Sequence, residues 1–127
     1  MGFALRITGD LSAGQPASRT GYGQAAYGNT QPLVERSTWI GVAPDGHVTA
    51  FAGKVEYGQN IRTGLAVEVA DELRVGVEDV TVILGDTDRV PWDMGTFGSQ
   101  STARVGWQLR KAAATARDVL LSLAADR

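Results

Sequence analysis

The 127-residue sequence contains no cysteine. Disulfides, thiolate metal sites, iron–sulfur ligation and a cysteine nucleophile are therefore excluded from within this chain. Histidine is nearly absent too. His47 follows the turn sequence Pro44-Asp45-Gly46 and is expected in solvent at a hairpin tip, so a zinc site built on His or Cys is not expected. Neither sign of charge dominates: 12 basic residues stand against 14 acidic ones, a net charge of −2. With no basic stripe and no aromatic platform, nucleic acid is not an expected partner. No apolar run approaches the ~20 residues that span a bilayer. The opening Met1-Gly2-Phe3-Ala4-Leu5-Arg6 lacks the regions of a secretory signal, and a cytoplasmic location is the expectation drawn from it.

What is present suits one globular domain, with 43% hydrophobic residues. Residues 1–36 are read as a flexible leader, because residues 8–31 are small and polar with no lasting period; Tyr22 and Tyr27 are its candidate anchors. The compact unit is expected over residues 37–127. Thr38-Trp39-Ile40-Gly41-Val42 and Val48-Thr49-Ala50-Phe51-Ala52 are β-rich runs separated by Ala43-Pro44-Asp45-Gly46, a hairpin signal. Ile61, Leu65, Val69 and Leu73 recur every four residues beside Ala66 and Ala70, which predicts one helix with Asn60 as its N-cap. Val80, Val82 and Leu84 mark a third strand. Asp86-Thr87-Asp88 is read as a turn, since two carboxylates are too few for a calcium cage. A last helix is expected from Ser99 or Ser101, with Val105, Leu109, Ala112, Ala116, Leu120 and Leu123 on one face. The order β-β-α-β-α predicts an α+β sandwich with helices on one face of a three-stranded sheet.

Two loops of this plan share one design. Gly53-Lys54-Val55-Glu56-Tyr57-Gly58-Gln59-Asn60 and Asp93-Met94-Gly95-Thr96-Phe97-Gly98-Ser99-Gln100-Ser101-Thr102 each follow a β-like run, carry glycines and open into a helix. Glycine lets backbone approach a ligand, and a helix N-terminus offers unpaired N–H groups to an anion. If the strands before them run parallel, both loops emerge at one sheet edge, where ligands favour the carboxyl ends of strands. The amide of Gln59 and the hydroxyls of Thr96, Ser99, Ser101 and Thr102 suit a pterin-like heterocycle and a pyrophosphate. The plain alternative is two ordinary helix entries, since Gly and Ser also favour turns and caps. Glu56 and Asp93, the nearest carboxylates, are read as solvated or capping groups rather than as a general base.

From Trp39 to about Leu123 the chain resembles a segment of the molybdopterin-binding large subunit of the xanthine dehydrogenase/aldehyde oxidase family, nearest the isoquinoline 1-oxidoreductase and nicotinate dehydrogenase type. The stretches that carry the resemblance are Gly53-Lys54-Val55-Glu56-Tyr57-Gly58-Gln59-Asn60-Ile61-Arg62-Thr63, Gly85-Asp86-Thr87-Asp88 and Asp93-Met94-Gly95-Thr96-Phe97-Gly98-Ser99. The resemblance implies a cofactor site of Gly58, Gln59, Asn60, Thr96, Phe97, Gly98, Ser99, Gln100 and Ser101. Gln59 would lie beside molybdenum, and residues 98–101 would line the pterin and its phosphates, with no residue ligating the metal directly. Many relatives carry Gly where this chain has Asn60, and Arg where it has Gln100. The resemblance further implies molybdopterin, in its cytosine dinucleotide form, and iron–sulfur clusters held by a separate subunit. It implies hydroxylation of N-heterocycles or oxidation of aldehydes. It covers only the front part of a longer subunit, and the family's Gly-x-Gly-Glu motif with its catalytic glutamate has no match here. No catalytic residue is therefore assigned within the chain, which is expected to be inactive alone and to work with the remainder of its subunit. The rival readings are a non-enzymatic interaction module and a stand-alone phosphate-ligand-binding domain.

Overall fold

The computed structural model describes residues 5–8 and 38–126. Strand β1 is Leu5–Thr8, β2 Thr38–Val42, β3 Val48–Ala52 and β4 Val80–Leu84; helix α1 is Ile61–Leu73 and α2 Trp107–Ala125. They form one sheet in the order β1-β2-β3-β4. The α+β plan expected from the sequence is the one observed, with one strand more. Leu5–Thr8, assigned to the leader, pairs antiparallel with β2, Leu5 opposite Val42, and Leu5 packs against the core. Four residues are too few for a period to be read, and only the free edge of β2 makes them a strand. The rest of the proposed leader, with Tyr22 and Tyr27, lies outside the described residues.

The hairpin between β2 and β3 turns as its sequence predicts. Gly46 takes φ +92°, and the carboxylate of Asp45 accepts the His47 N–H at 3.0 Å. His47 is not loose at the tip: its ring Nε2 lies 2.9 Å from Thr81 Oγ1 on β4. The decisive pairing is β3 with β4, which is parallel from Val48 opposite Val80 to Ala52 opposite Leu84. Side chains alternate across a strand, so Ile40, Ala50 and Val82 share one face. That face meets Leu65 and Val69 of α1 and Leu109, Ala112, Ala113 and Ala116 of α2 in a single hydrophobic cluster, so both helices cover the same side. Alanines at the helix contact let the two backbones come close.

The apolar face expected of α2 holds as far as Ala116, but Leu123 at its end is 41% exposed. With 19 residues against the 13 of α1, α2 outlasts the helix it packs on. Its helical backbone begins at Ser101, and residues Thr102–Gly106 are wound as a π-turn before the α-helix proper. Among the described residues no helix is long and apolar enough to cross a membrane.

Candidate functional site

Because β3 and β4 are parallel, the loops that leave their carboxyl ends start from the same sheet edge. They also touch. A Cβ on Gly53 would stand 2.5 Å from Asp93 Cβ and 2.5 Å from the Pro91 carbonyl oxygen, so glycine is required where the second loop crosses the first. Beside this contact, Lys54 reaches across. Its Nζ donates to Asp93 Oδ1 at 2.6 Å and to the Gly95 carbonyl at 2.7 Å, and only 8% of the residue is exposed.

The first loop is largely satisfied by itself. Glu56 Oε1 accepts the N–H of Gly58 at 2.8 Å and of Asn60 at 3.1 Å, while Oε2 accepts the N–H of Arg62 at 3.0 Å. The Arg62 bond above all holds the Glu56 pKa below its ordinary value; the Gly58 and Asn60 bonds and the Arg62 charge add to it, against some desolvation. Asn60 stands at the N-cap position, as expected, its carbonyl accepting the Gly64 N–H at 3.0 Å. Two expectations are corrected: at φ +60° its side chain makes no capping bond, and Glu56 caps α1 instead. The N-terminus of α1 thus faces a carboxylate of its own chain rather than offering free N–H groups to a phosphate. Asparagine is the residue other than glycine that best tolerates this left-handed backbone. Gln59, exposed at the tip, folds its amide back on the loop: Oε1 accepts the Tyr57 N–H at 2.9 Å and Nε2 donates to the Val55 carbonyl at 2.8 Å.

The second loop is more open. Asp86 Oδ1 accepts the Asp88 N–H at 3.1 Å, the turn expected there. Asp93, read from the sequence as a solvated or capping group, is instead paired with Lys54, and its Oδ1 also accepts the Gly95 N–H at 2.8 Å. Gly95, Gly98 and Ser99 take φ of +102°, +62° and +55°. Ser99 is the unusual one, because a serine pays a steric penalty there that glycine does not. Thr96 Oγ1 and Ser101 Oγ lie 2.6 Å apart, bracing the loop across its mouth. Phe97 is 60% exposed, and Gln100 is exposed with its carbonyl accepting the Arg104 N–H at 2.9 Å. No side chain caps the start of the second helical segment, whereas Glu56 caps that of α1; neither has an acidic residue in its first turn.

The residues singled out on sequence thus fall into two groups at one edge: Gly58, Gln59 and Asn60 on the first loop, and Thr96, Phe97, Gly98, Ser99, Gln100 and Ser101 on the second. Lys54 and Gly53, which join the loops, stand out in the sequence only as parts of a motif. The signal available for Lys54 is its place directly after the buried end of β3, where a charge needs a partner. Both loops have open space at a glycine: nothing lies within 4 Å of where a Cβ on Gly58 would be, and at Gly98 the nearest atom is Gln100 Nε2 at 4.0 Å. The amides of Gln59 and Gln100 and the hydroxyls of Thr96, Ser99 and Ser101 are the kind of donors and acceptors that a pterin and its phosphates would need.

The sequence profile of the molybdopterin cofactor-binding domain matches residues 11–127, which takes in most of the stretch read as leader. The chain is 45% identical over 107 residues to a nicotinate dehydrogenase subunit of Pseudomonas putida, covering 83% of this chain and 9% of that protein. It is 38% identical over 74 residues to the gamma subunit of the 6-hydroxypseudooxynicotine dehydrogenase complex of Paenarthrobacter nicotinovorans, covering 58% of this chain and 9% of that one. It is 37% identical over 70 residues to the carbon monoxide dehydrogenase large chain of Afipia carboxidovorans, covering 55% and 9%. No solved structure matches it. The chain belongs to the molybdopterin cofactor-binding domain family, within the xanthine dehydrogenase family of oxidoreductases. It spans about a tenth of the length of these relatives.

Proposed function

We propose that this chain forms one wall of the cofactor site of a molybdenum hydroxylase that hydroxylates N-heterocycles or oxidises aldehydes. The observation that carries the reading is the meeting of two glycine loops at the carboxyl ends of parallel β3 and β4. Gly58 and Asn60 allow the first loop to approach, and Gln59 stands at the metal-proximal end, where its amide would turn out from the Tyr57 N–H and the Val55 carbonyl that hold it in the free loop. Thr96, Phe97, Gly98, Ser99, Gln100 and Ser101 hold the pterin and its phosphates, the cytosine dinucleotide form being the one proposed. The capping of α1 by Glu56 favours the second loop as the holder of the phosphates, since its helix start carries no side-chain cap. When bound, the cofactor supplies two-electron oxidation at a carbon centre; the protein supplies binding and orientation.

The chain alone is proposed to have no turnover. Glu56 is held by three backbone N–H groups and Asp93 by Lys54 and Gly95, so both nearby carboxylates are engaged within the loops. The remainder of a molybdopterin-binding subunit and an iron–sulfur subunit are the proposed partners. The similarity to the nicotinate dehydrogenase subunit makes a nitrogen heterocycle the first substrate to try. The test is molybdenum and pterin content of the full chain co-purified with its partner polypeptides. Gln59→Ala and Ser99→Ala are each expected to lower that content while the melting temperature shifts little, since both side chains are exposed and the two hydrogen bonds of Gln59 contribute only ~1 kcal/mol each. Unchanged metal content in both variants, with lowered melting temperatures, would return the loops to ordinary helix entries.

A further inference from the structure

We propose that Lys54 is a positioning residue that locks the second loop onto the first, so that cofactor retention depends on a side chain set beneath the loops rather than on their exposed tips. The proposal rests on the cofactor reading above and adds to it the element that keeps the two loops in register. Lys54 is the buried charged residue among the described residues. A buried ammonium is costly unless paired and hydrogen-bonded. Its acceptors, Asp93 Oδ1 at 2.6 Å and the Gly95 carbonyl at 2.7 Å, both belong to the other loop. The ammonium is therefore satisfied only when residues 93–95 are seated.

Asp93 transmits the constraint. The same Oδ1 that accepts from Lys54 accepts the Gly95 N–H at 2.8 Å, which shapes the turn leading into Thr96. Gly53, whose missing Cβ would collide with Asp93 and the Pro91 carbonyl, lets the loops close far enough for Lys54 to reach. Downstream of this clamp come Gly98 and Ser99, both exposed and both at positive φ. Fixing residues 93–95 fixes where that segment starts, while the Thr96–Ser101 hydroxyl pair fixes where it ends. A clamp at the base and a brace at the mouth leave residues 97–100 preorganised, which lowers the ordering cost of binding.

The experiment uses the full chain, expressed with its partner polypeptides in a host that makes molybdopterin, as wild type, Lys54→Met and Asp93→Ala. Amide exchange is followed in residues 94–101 and, as the reference, in Val48–Ala52 and Val80–Leu84; pterin content is read by fluorescence after oxidative release. Local opening should increase exchange in residues 94–101 by at least about tenfold in either variant, the equivalent of ~1.4 kcal/mol. The strands should be unaffected and pterin content should fall. Asp93→Ala decides the matter if Lys54→Met fails to fold, because the Asp93 side chain is the more exposed of the two, 15% against 9%. Unchanged exchange in residues 94–101, or a rise shared equally by the strands, overturns the clamp. A wild type devoid of pterin would sink the cofactor reading instead, and the exchange measurement would still decide whether Lys54 couples the loops.

Discussion

The carboxylate of Glu68 on α1 lies directly against Gly106, the last residue of the π-turn that leads into α2: a Cβ built on that glycine would collide with Glu68 Oε2. The obstacle is the end of a flexible side chain, not backbone. Gly106→Ala should therefore push the carboxylate outward rather than part the helices. Alanine also gains up to about 1 kcal/mol of helix propensity over glycine. The net change in stability by denaturant unfolding should stay within about 1 kcal/mol, with both helices in place. A loss of ~3 kcal/mol, typical of overpacking a rigid core, would show that Glu68 cannot yield.

The same carboxylate has a pKa above its ordinary value, because burial disfavours its charge more than Arg110 relieves it. Arg110 is shared: its Nη2 lies 3.2 Å from Asp71 Oδ2 and 3.5 Å from Glu72 Oε2. A carboxyl that binds its proton more tightly in the folded state stabilises the fold at low pH, and that contribution is lost as pH rises through the folded pKa. Glu68→Gln should thus melt higher than wild type at pH 7, by a small margin because the group is partly exposed. The margin should vanish below the ordinary value of 4.5. A variant that melts lower than wild type at pH 7 would contradict the burial argument.

Glu56 carries the opposite sign. Its pKa is lowered, chiefly by the Arg62 N–H and then by those of Gly58 and Asn60. Its contribution is present above the unfolded value of 4.5 and is lost as pH falls through the folded pKa. Glu56→Gln should lower the melting temperature at pH 7 and approach wild type in acid. Nuclear magnetic resonance of the Gly58, Asn60 and Arg62 amides should report the same titration, moving together as Glu56 protonates. Independent midpoints for the three would rule out a shared carboxylate.

The strands and helices are legible in the sequence because each carries a local rule. Ile61, Leu65, Val69 and Leu73 repeat at helical spacing, and Pro44-Asp45-Gly46 encodes its turn. The parallel pairing of β3 with β4 can be stated from sequence only as a condition, and with it the shared edge of the loops. What sequence does not reveal depends on contacts across the chain. β1 exists because β2 has a free edge. Lys54 is buried because Asp93, far along the chain, comes to meet it. The side-chain capping expected of Asn60 fails for a related reason: an Asn before an apolar helix is a strong local signal, but Glu56 reaches the same N–H groups first. The backbone then uses Asn60 for its tolerance of positive φ, a demand that no glycine at this position advertises.

That tolerance yields the last prediction. Asn60 and Ser99 sit at nearly the same left-handed geometry, φ +60° and +55°, one on each loop. Asn adopts it at little cost, whereas Ser is less favoured there. Neither side chain is buried. Asn60→Gly should be close to neutral, because the strain it removes is small and the unfolded chain gains freedom. Ser99→Gly removes more strain, so it should equal or exceed wild-type stability by up to ~1 kcal/mol. Asn60→Val and Ser99→Val should each cost about 1–3 kcal/mol, since a β-branched residue is a genuine outlier at positive φ. Under the cofactor reading the two glycine variants then separate. Ser99→Gly, although no less stable, should lower pterin content because it deletes a hydroxyl from the phosphate end of the site. Asn60→Gly should leave pterin content unchanged, its backbone geometry being preserved. Equal pterin content in wild type and Ser99→Gly would mean that the strained serine is held for some reason other than the cofactor.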